Sequence, residues 1–128
     1  MKLNKIHHIA IICSDYKRSK NFYVNILGLE VLKETYREER NSYKLDLMAG
    51  GEYQIELFSF PDSPERLSYP EAQGLRHLAF EVDHIEEAVS ELDANSIQAE
   101  PIRIDPVTGK KFTFFHDPDR LPLELYEK

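Results

Sequence analysis

The stretch LRHLAFEVD at residues 75–83 decides the fold, because it repeats the pattern of HHIAIICSD at residues 7–15. In both stretches a histidine is followed by an apolar run rich in strand-forming residues and then by an aspartate. An amphipathic helix pattern begins after each aspartate, a residue type that favours helix N-termini. The repetition predicts two copies of one structural module.

A second feature recurs at a matching interval in the two copies. Glu56, in QIELFSF, follows His8 by 48 positions, and Glu124, in PLELYEK, follows His77 by 47. Each copy therefore offers one imidazole and one carboxylate on strand-like segments. Two imidazoles and two carboxylates are a donor set that can bind a divalent metal ion. The sequence predicts that these four residues are metal ligands.

The predicted elements follow the order β-α-β-β-β in both copies. The predicted strands span residues 6–13, 30–37, 43–49, 53–60, 75–82, 97–104, 111–116 and 121–126, and the predicted helices span 16–27 and 85–94. We expect an α+β fold in which residues 1–128 form a single domain. Its modules lie at about 4–60 and 75–128 and are joined by a proline-containing linker at 61–74.

Alternation along the strands places the four predicted ligands on one face of their sheets. Their neighbours on the other face are apolar and suit the seats of the two helices: Ile9, Ile11, Cys13, Ile55, Leu57, Leu78, Phe80, Val82, Leu123 and Leu125. His7, adjacent to His8, is predicted to point to the helix side as a packing residue. If the two sheets curve toward each other, the ligand face lines a cleft.

Composition excludes several classes of partner. The 128-residue chain is 41% hydrophobic and 30% charged, as is typical of a globular protein. Its formal charge of −7 opposes binding to nucleic acid or to an anionic membrane. The one cysteine, Cys13, lies in an apolar run and cannot form an internal disulfide, so a buried thiol and a cytoplasmic location are expected. No apolar stretch approaches the roughly 18 residues of a membrane span.

The chain resembles the vicinal oxygen chelate superfamily, which includes glyoxalase I, the bleomycin-resistance proteins and the dihydroxybiphenyl dioxygenases. The resemblance covers nearly the whole chain and depends on five segments: HHIAIICSD, FYVNILGLEV at 22–31, QIELF, GLRHLAFEVD and DPDRLPLELYE. It implies paired β-α-β-β-β modules that form a curved metal-binding cleft, often completed by a homodimer.

Within this superfamily, Glu56 favours one branch. Fosfomycin-resistance thiol transferases and extradiol dioxygenases typically use two histidines and one glutamate and place no carboxylate at this second position, whereas glyoxalase I enzymes do. The ligand set therefore resembles that of a glyoxalase I of the two-His, two-Glu kind. Mixed nitrogen and oxygen ligands suit Ni or Zn, and also Co or Mn.

The implied activity is that of a lyase or isomerase. The metal would chelate two adjacent oxygens of a small-molecule substrate and stabilise an enediolate while a base removes the neighbouring proton. Glu124 is the first candidate for this base and Glu56 the second. The alternatives are epimerisation or oxygen-dependent cleavage on the same scaffold, and a metal-free binding module like the bleomycin-sequestering members.

Three positions depart from the family pattern. Bacterial glyoxalase I enzymes usually carry an Arg and an Asn that hold glutathione four residues after the first and second ligands. Here Ile12 and Phe60 stand at these positions of the predicted substrate pocket. Two hydrocarbons would leave glutathione's carboxylates unpaired, so a less anionic substrate that is not linked to glutathione is expected. Arg120 replaces the glycine of the usual DPDG turn, which predicts a differently shaped loop because arginine lacks glycine's freedom at positive φ.

Overall fold

The computed structural model describes residues 1–67 and 72–128. The chain divides into two compact units, Met1–Glu65 and Arg66–Lys128. Each predicted module lies inside one unit, and residues 68–71 of the predicted linker fall outside the described part of the chain. That the two modules make up one domain stays a prediction.

The first unit is a four-stranded sheet with one helical segment. Its strands are β1 (Ile9–Cys13), β2 (Glu30–Arg37), β3 (Ser42–Ala49) and β4 (Glu52–Ser59). They are joined in the order β1-β4-β3-β2, with β1 parallel to β4 and the other pairs antiparallel. Helix α1 (Tyr16–Lys20) follows β1 and continues as a π-helical turn over Asn21–Ile26, and a 3-10 turn (Glu38–Arg40) joins β2 to β3.

The helical segment begins and ends where the sequence provides the required groups. The Asp15 carboxylate accepts a hydrogen bond from the Arg18 amide at 3.1 Å and caps α1. Gly28 follows the segment with a φ of +74°, a left-handed conformation that glycine adopts without strain. The buried side chains of this unit come from the helical segment and the helix-side face of the sheet: Ile11, Cys13, Phe22, Tyr23, Leu29, Leu45, Leu47, Ile55 and Leu57.

The second unit repeats this arrangement. Its elements are β5 (Leu78–Val82), α2 (Ile85–Ala94), β6 (Arg103–Ile104), β7 (Lys111–His116) and β8 (Pro122–Glu127). The strand order is β5-β8-β7-β6, with β5 parallel to β8 and the other pairs antiparallel. Its buried apolar side chains are Ile85, Leu92, Phe115, Leu121, Leu123 and Leu125. The predicted α+β fold with β-α-β-β-β order in both halves is confirmed.

The largest differences from the predicted element boundaries occur at three strands. Strands β1 and β5 begin at Ile9 and Leu78, so the two predicted histidine ligands stand just before their strands rather than within them. Strand β6 has two residues instead of the eight predicted at 97–104. Pro101 has no amide hydrogen and cannot donate to the ladder, which limits pairing in this segment.

Among the described residues, no helix combines the length and the apolar character that crossing a membrane requires.

Candidate functional site

The two predicted carboxylate ligands occupy equivalent places in the two sheets. Glu56 on β4 lies opposite Ala10 of the parallel strand β1, and Glu124 on β8 lies opposite Ala79 of β5. In each unit the predicted histidine stands two residues before that alanine. Because the alanine side chain is a single methyl group, the face beside each glutamate leaves room for the histidine ring.

In the first unit, His8 and Glu56 come together. The His8 Nε2 atom lies 3.5 Å from Glu56 Oε2, and the Glu56 side chain is 11% exposed. The other carboxylate oxygen, Oε1, accepts hydrogen bonds from the Tyr53 hydroxyl and from Lys44 Nζ, the latter at 2.9 Å. Both donors also contact Asp46 Oδ1, each at 3.2 Å. One Glu56 oxygen is therefore held by protein donors while the other faces the imidazole.

These contacts fix the charges around Glu56. Burial alone raises the pKa of Glu56, but the hydrogen bonds from Tyr53 and Lys44 outweigh burial and lower that pKa below its usual value. The pKa of Lys44 is raised, chiefly by its bond to Glu56. Burial and the same carboxylate raise the pKa of Tyr53. At neutral pH Glu56 is therefore ionised, Lys44 is an ammonium and Tyr53 is a neutral phenol.

His7 belongs to this site and not to the helix side of the sheet. It is exposed, and its Nδ1 lies 2.8 Å from the Nδ1 of His8. The His7 ring also meets the Tyr53 ring edge-on, with centroids 5.5 Å apart. The prediction that His7 packs under the helix is wrong, because β1 begins only at Ile9 and strand alternation does not extend back to His7.

In the second unit, His77 and Glu124 form the equivalent pair. His77 Nε2 lies 3.0 Å from Glu124 Oε2, and the Glu124 side chain is 12% exposed. On the other side of the ring, His77 Nδ1 lies 3.1 Å from Arg76 Nη1. The His77 ring meets the Phe114 ring edge-on at 5.1 Å. Among the described residues of this unit, no lysine or tyrosine donates to Glu124.

The chemistry and spacing of each pair fit one half of a metal site. Two donors that each lie about 2.0–2.2 Å from a divalent ion are about 2.8–3.6 Å apart in octahedral or tetrahedral geometry. The imidazole–carboxylate distances of 3.5 Å and 3.0 Å are close to that separation. In neither unit, over the residues that the structure describes, do three or more His, Cys, Asp or Glu side chains form a group that could hold a metal. Binding of one ion by all four predicted ligands stays a prediction.

The two predicted pocket residues of the first unit lie on the same face as Glu56. Ile12 is 55% exposed and pairs across β1 and β4 with Phe58, which stands two residues after Glu56. Phe60 stacks on Phe58, with ring centroids 5.8 Å apart and planes 8° from parallel. The face beyond Glu56 is therefore partly aromatic.

Two arginines that the sequence analysis missed lie against these rings. Arg37 Cζ is 5.1 Å from the ring centroid of Phe58 and 5.7 Å from that of Phe60. Arg40 Cζ is 5.5 Å from the ring centroid of Phe60. The end of β2 and the following turn thus place two cations beside the aromatic side chains of Phe58 and Phe60. Only the register of β2 on β3 and of β3 on β4 could have revealed them.

The turn at Arg120 also differs from its expectation. Arg120 adopts a φ of +67°, so the chain takes the left-handed conformation despite having no glycine there. Asp117 holds this turn: its Oδ1 accepts from the Asp119 amide at 2.9 Å and from the Leu121 amide at 2.8 Å. The Asp117 carbonyl oxygen accepts from the Arg120 amide at 3.0 Å. Arg120 thus takes the positive φ that glycine adopts more freely, and these three hydrogen bonds hold the backbone in that conformation. A loop shape that differs from that of the DPDG turn stays a prediction.

Comparison with known proteins agrees with this architecture. The family model described as Glyoxalase/Bleomycin resistance protein/Dioxygenase superfamily matches residues 5–125. The uncharacterized protein YwkD of Bacillus subtilis is 67% identical over 100% of both chains, and the uncharacterized protein YaeR of Escherichia coli is 60% identical over 98% of both. The mitochondrial methylmalonyl-CoA epimerase of Homo sapiens is 31% identical over 91% of this chain and 69% of its own length.

Solved structures also agree with this architecture. The glyoxalase family protein from Enterococcus faecalis is 55% identical, with a TM-score of 0.88 over 99% of this chain and 100% of that one. A fosfomycin resistance protein, FosX, from Listeria monocytogenes was solved with Mn(II) and 1S,2S-dihydroxypropylphosphonic acid. It is 22% identical, with a TM-score of 0.75 over 98% of this chain and 93% of that one, and so supports the fold alone.

Proposed function

Because the chain belongs to the glyoxalase/bleomycin resistance protein/dioxygenase superfamily, we propose that it is a divalent-metal-dependent enzyme of glyoxalase I type, which moves a proton at a carbon next to a carbonyl. The ion is expected to be Ni or Zn, with Co or Mn also suited to its ligands, His8, Glu56, His77 and Glu124. Bound there, it would polarise two adjacent substrate oxygens and acidify the neighbouring C–H bond. The observation that carries this proposal is the recurrence of one His–Glu pair at equivalent positions of two units.

The surroundings of the two glutamates differ, and this difference supports different roles for them. Lys44 and Tyr53 both donate to Glu56, which lowers its basicity and limits its rotation. Glu124 has no such donors among the described residues of its unit and contacts the His77 ring alone. A general base must be able to turn toward the substrate carbon and accept a proton. Glu124 is therefore the proposed catalytic base, and Glu56 is a fixed ligand.

The proposed substrate is a small molecule with adjacent oxygens that is not linked to glutathione. Ile12 and Phe60 replace the polar residues that usually hold glutathione in the bacterial enzymes that this chain resembles. Wild-type protein is therefore expected to turn over the glutathione hemithioacetal of methylglyoxal poorly. Efficient turnover of that compound would contradict this part of the proposal.

Epimerisation is a second candidate, favoured by the 31% identity with methylmalonyl-CoA epimerase over 91% of this chain. Epimerisation and glyoxalase I chemistry share their first step, removal of a proton next to a carbonyl. They differ in where the proton returns. Methylmalonyl-CoA is therefore the second compound to test, beside the hemithioacetal.

Metal binding is the first experiment. Protein purified without chelators is expected to contain about one equivalent of divalent metal per chain. The metal content is measured by elemental mass spectrometry. His8→Ala and His77→Ala are each expected to lose it, whereas Glu91→Gln, an exposed change on α2, keeps it. Full metal content in both histidine variants would place the metal elsewhere.

Proton transfer is the second experiment. Each candidate substrate is incubated in D2O with protein loaded with one metal at a time, and deuterium uptake at the reacting carbon is followed by NMR. Glu124→Gln is expected to reduce uptake by about 10²–10⁴-fold, the usual contribution of a general base. Glu91→Gln should exchange like the wild type. Consumption of dioxygen with Fe(II) instead of exchange would favour oxygen-dependent cleavage.

A homodimer is also proposed, since members of this superfamily often form dimers. In a dimer each site can be completed within one chain or by pairs from two chains, and mixing variants separates these cases. If pairs from two chains meet, a refolded mixture of His8→Ala and His77→Ala protein regains metal at about one site in four, by random pairing. If each chain completes its own site, the mixture regains none.

A further inference from the structure

We propose that Arg37 and Arg40, stacked on Phe58 and Phe60, form a binding site for an oxyanion, a carboxylate or a phosphate, carried by the substrate. These four residues are called the arginine–phenylalanine patch. All four belong to the first unit and are described in full. The assignment of the oxyanion to the substrate depends on the proposed function, whereas the binding site itself does not.

The aromatic rings hold the two guanidinium groups in place. Phe58 and Phe60 are stacked nearly parallel, and Arg37 lies over both rings while Arg40 lies over Phe60. A guanidinium over an aromatic face is attracted by the ring's quadrupole, and the contact leaves the edge of the guanidinium fork free to donate. Ordered guanidinium groups lose less entropy when they bind an anion than mobile ones do.

The donors of these arginines are largely unused. Arg37 Nη2 donates to Ser42 Oγ at 3.1 Å, but Arg37 Nε is buried and has no hydrogen-bond partner in the part of the chain that the structure describes. Among the described residues of this unit, no carboxylate lies within 4.0 Å of either guanidinium, although Glu38 and Glu39 are in the same turn as Arg40. Leaving the buried Nε–H of Arg37 without an acceptor is costly, and an oxyanion that accepts from the fork relieves that cost.

A similar stack in the second unit serves as an internal comparison. Arg103 Cζ lies 4.9 Å from the ring centroid of Phe112 and 5.7 Å from that of Phe114. However, Arg103 Nη2 is paired with Glu100 Oε2 at 3.1 Å. Its charge is already balanced by the chain itself. The patch of the first unit differs because no carboxylate among the described residues of that unit pairs with its two cations.

The position of the patch indicates the class of substrate. Phe58 follows Glu56 by two residues on the same face of β4, a distance of about 7 Å along the strand. Arg37 pairs with Ser42, and Ser42 lies four residues along β3 from the residue opposite Glu56, about 13 Å away. A substrate that reaches from the Glu56 carboxylate to the patch therefore carries its oxyanion several bonds from the reacting carbon. Its intervening part is apolar enough to lie on Ile12 and Phe58.

The test measures binding to the full-length, metal-free protein, so that its outcome is independent of the proposed catalysis. The probes are benzoate and phenyl phosphate, with benzyl alcohol as the neutral control. Binding is followed by NMR of the arginine Nε–H and phenylalanine ring signals. Saturable shifts of the Arg37 Nε–H signal are expected with at least one of the anions and not with benzyl alcohol. The anion that binds more tightly distinguishes a carboxylate from a phosphate as the natural group.

Substitutions then assign the binding to these residues. Arg37→Gln with Arg40→Gln is expected to weaken anion binding about tenfold or more, which is the worth of a charge-assisted hydrogen bond. Arg18→Gln, an exposed change on α1, should bind like the wild type. Arg37→Lys keeps the charge without the fork and should bind with intermediate strength. Absence of saturable binding in the wild type, or equal binding in the double variant, would overturn the proposal.

Discussion

His7 and His8 face each other through their Nδ1 atoms, 2.8 Å apart. One nitrogen must donate and the other accept. Histidines that bind a metal through Nε2 usually donate their other ring N–H to a fixed acceptor, which sets the tautomer and the ring orientation. His7 can supply that acceptor to His8. When His8 donates its Nδ1–H to His7, the Nε2 atom of His8, which faces Glu56, is left unprotonated.

Replacing His7 by phenylalanine is expected to weaken metal binding about 10–100-fold, the usual effect of removing the partner of a ligand histidine. Phenylalanine keeps a ring against Tyr53 and His8 but offers no acceptor. Metal affinity is measured by competition with a chromogenic chelator. His116→Phe, an exposed change at the end of β7, is the control. Equal affinities of the two variants would show that His7 does not orient His8.

Arg76 has the opposite relationship to His77. Arg76 Nη1 can only donate, so it favours a His77 tautomer with its proton on Nε2, the atom that the proposed metal site requires to be unprotonated. Arg76→Met is therefore expected to tighten metal binding, by roughly tenfold, because it removes a competing donor and a nearby positive charge. Arg103→Met, which changes an arginine that also stacks on Phe114, is the matched control. Weaker metal binding by Arg76→Met would contradict this account.

Glu34 links β2 to α1 and makes stability depend on pH. Lys20 Nζ lies 2.5 Å from Glu34 Oε2, and the Tyr16 hydroxyl donates to the same oxygen. The bond from Lys20, followed by that from Tyr16, lowers the pKa of Glu34. A lowered pKa contributes stability that is present above the unfolded value of about 4.3 and is lost as pH falls through the folded pKa.

Glu34→Gln is therefore expected to be less stable than the wild type at pH 7, and this difference should shrink as the pH is lowered from 7 to 3. The measurement is urea unfolding across this range. Glu30→Gln, on the same strand, is the control and should keep the pH profile of the wild type. A stability difference between Glu34→Gln and the wild type that does not change with pH would show that ionisation of Glu34 is not the cause.

The turn after β7 stores backbone strain at Arg120. A side chain with a φ of +67° costs about 1–2 kcal/mol relative to glycine, partly offset by glycine's greater freedom in the unfolded chain. Arg120→Gly is expected to be about 1 kcal/mol more stable than Arg120→Ala, since both remove the side chain and only alanine retains the strain. Urea unfolding of the two variants measures the difference. An alanine variant as stable as the glycine variant would mean that the turn relaxes.

Local patterns in the sequence predicted most of the fold. The period of apolar residues predicted α2 at Ile85–Ala94 and β2 at Glu30–Arg37 with the bounds that the structure has. Alternation also predicted the buried face that includes Leu57 and Leu123. These predictions succeeded because burying one face of a strand or helix imposes a periodic sequence. The prediction of the β6 boundary failed because Pro101 interrupts strand pairing without breaking the apolar pattern of the sequence.

By itself the sequence determined the duplication, the two modules and the His–Glu pairs, because each depends on spacing along the chain. Tertiary structure alone decided which side chains of other strands lie beside the site: Lys44 beside Glu56, and Arg37 over Phe58. These contacts join different strands of one sheet, and a one-residue shift in the pairing register of those strands would separate the groups. A one-residue slip turns every side chain of a strand to the other face, so the register of neighbouring strands, and not the sequence of any one of them, selects the groups that meet.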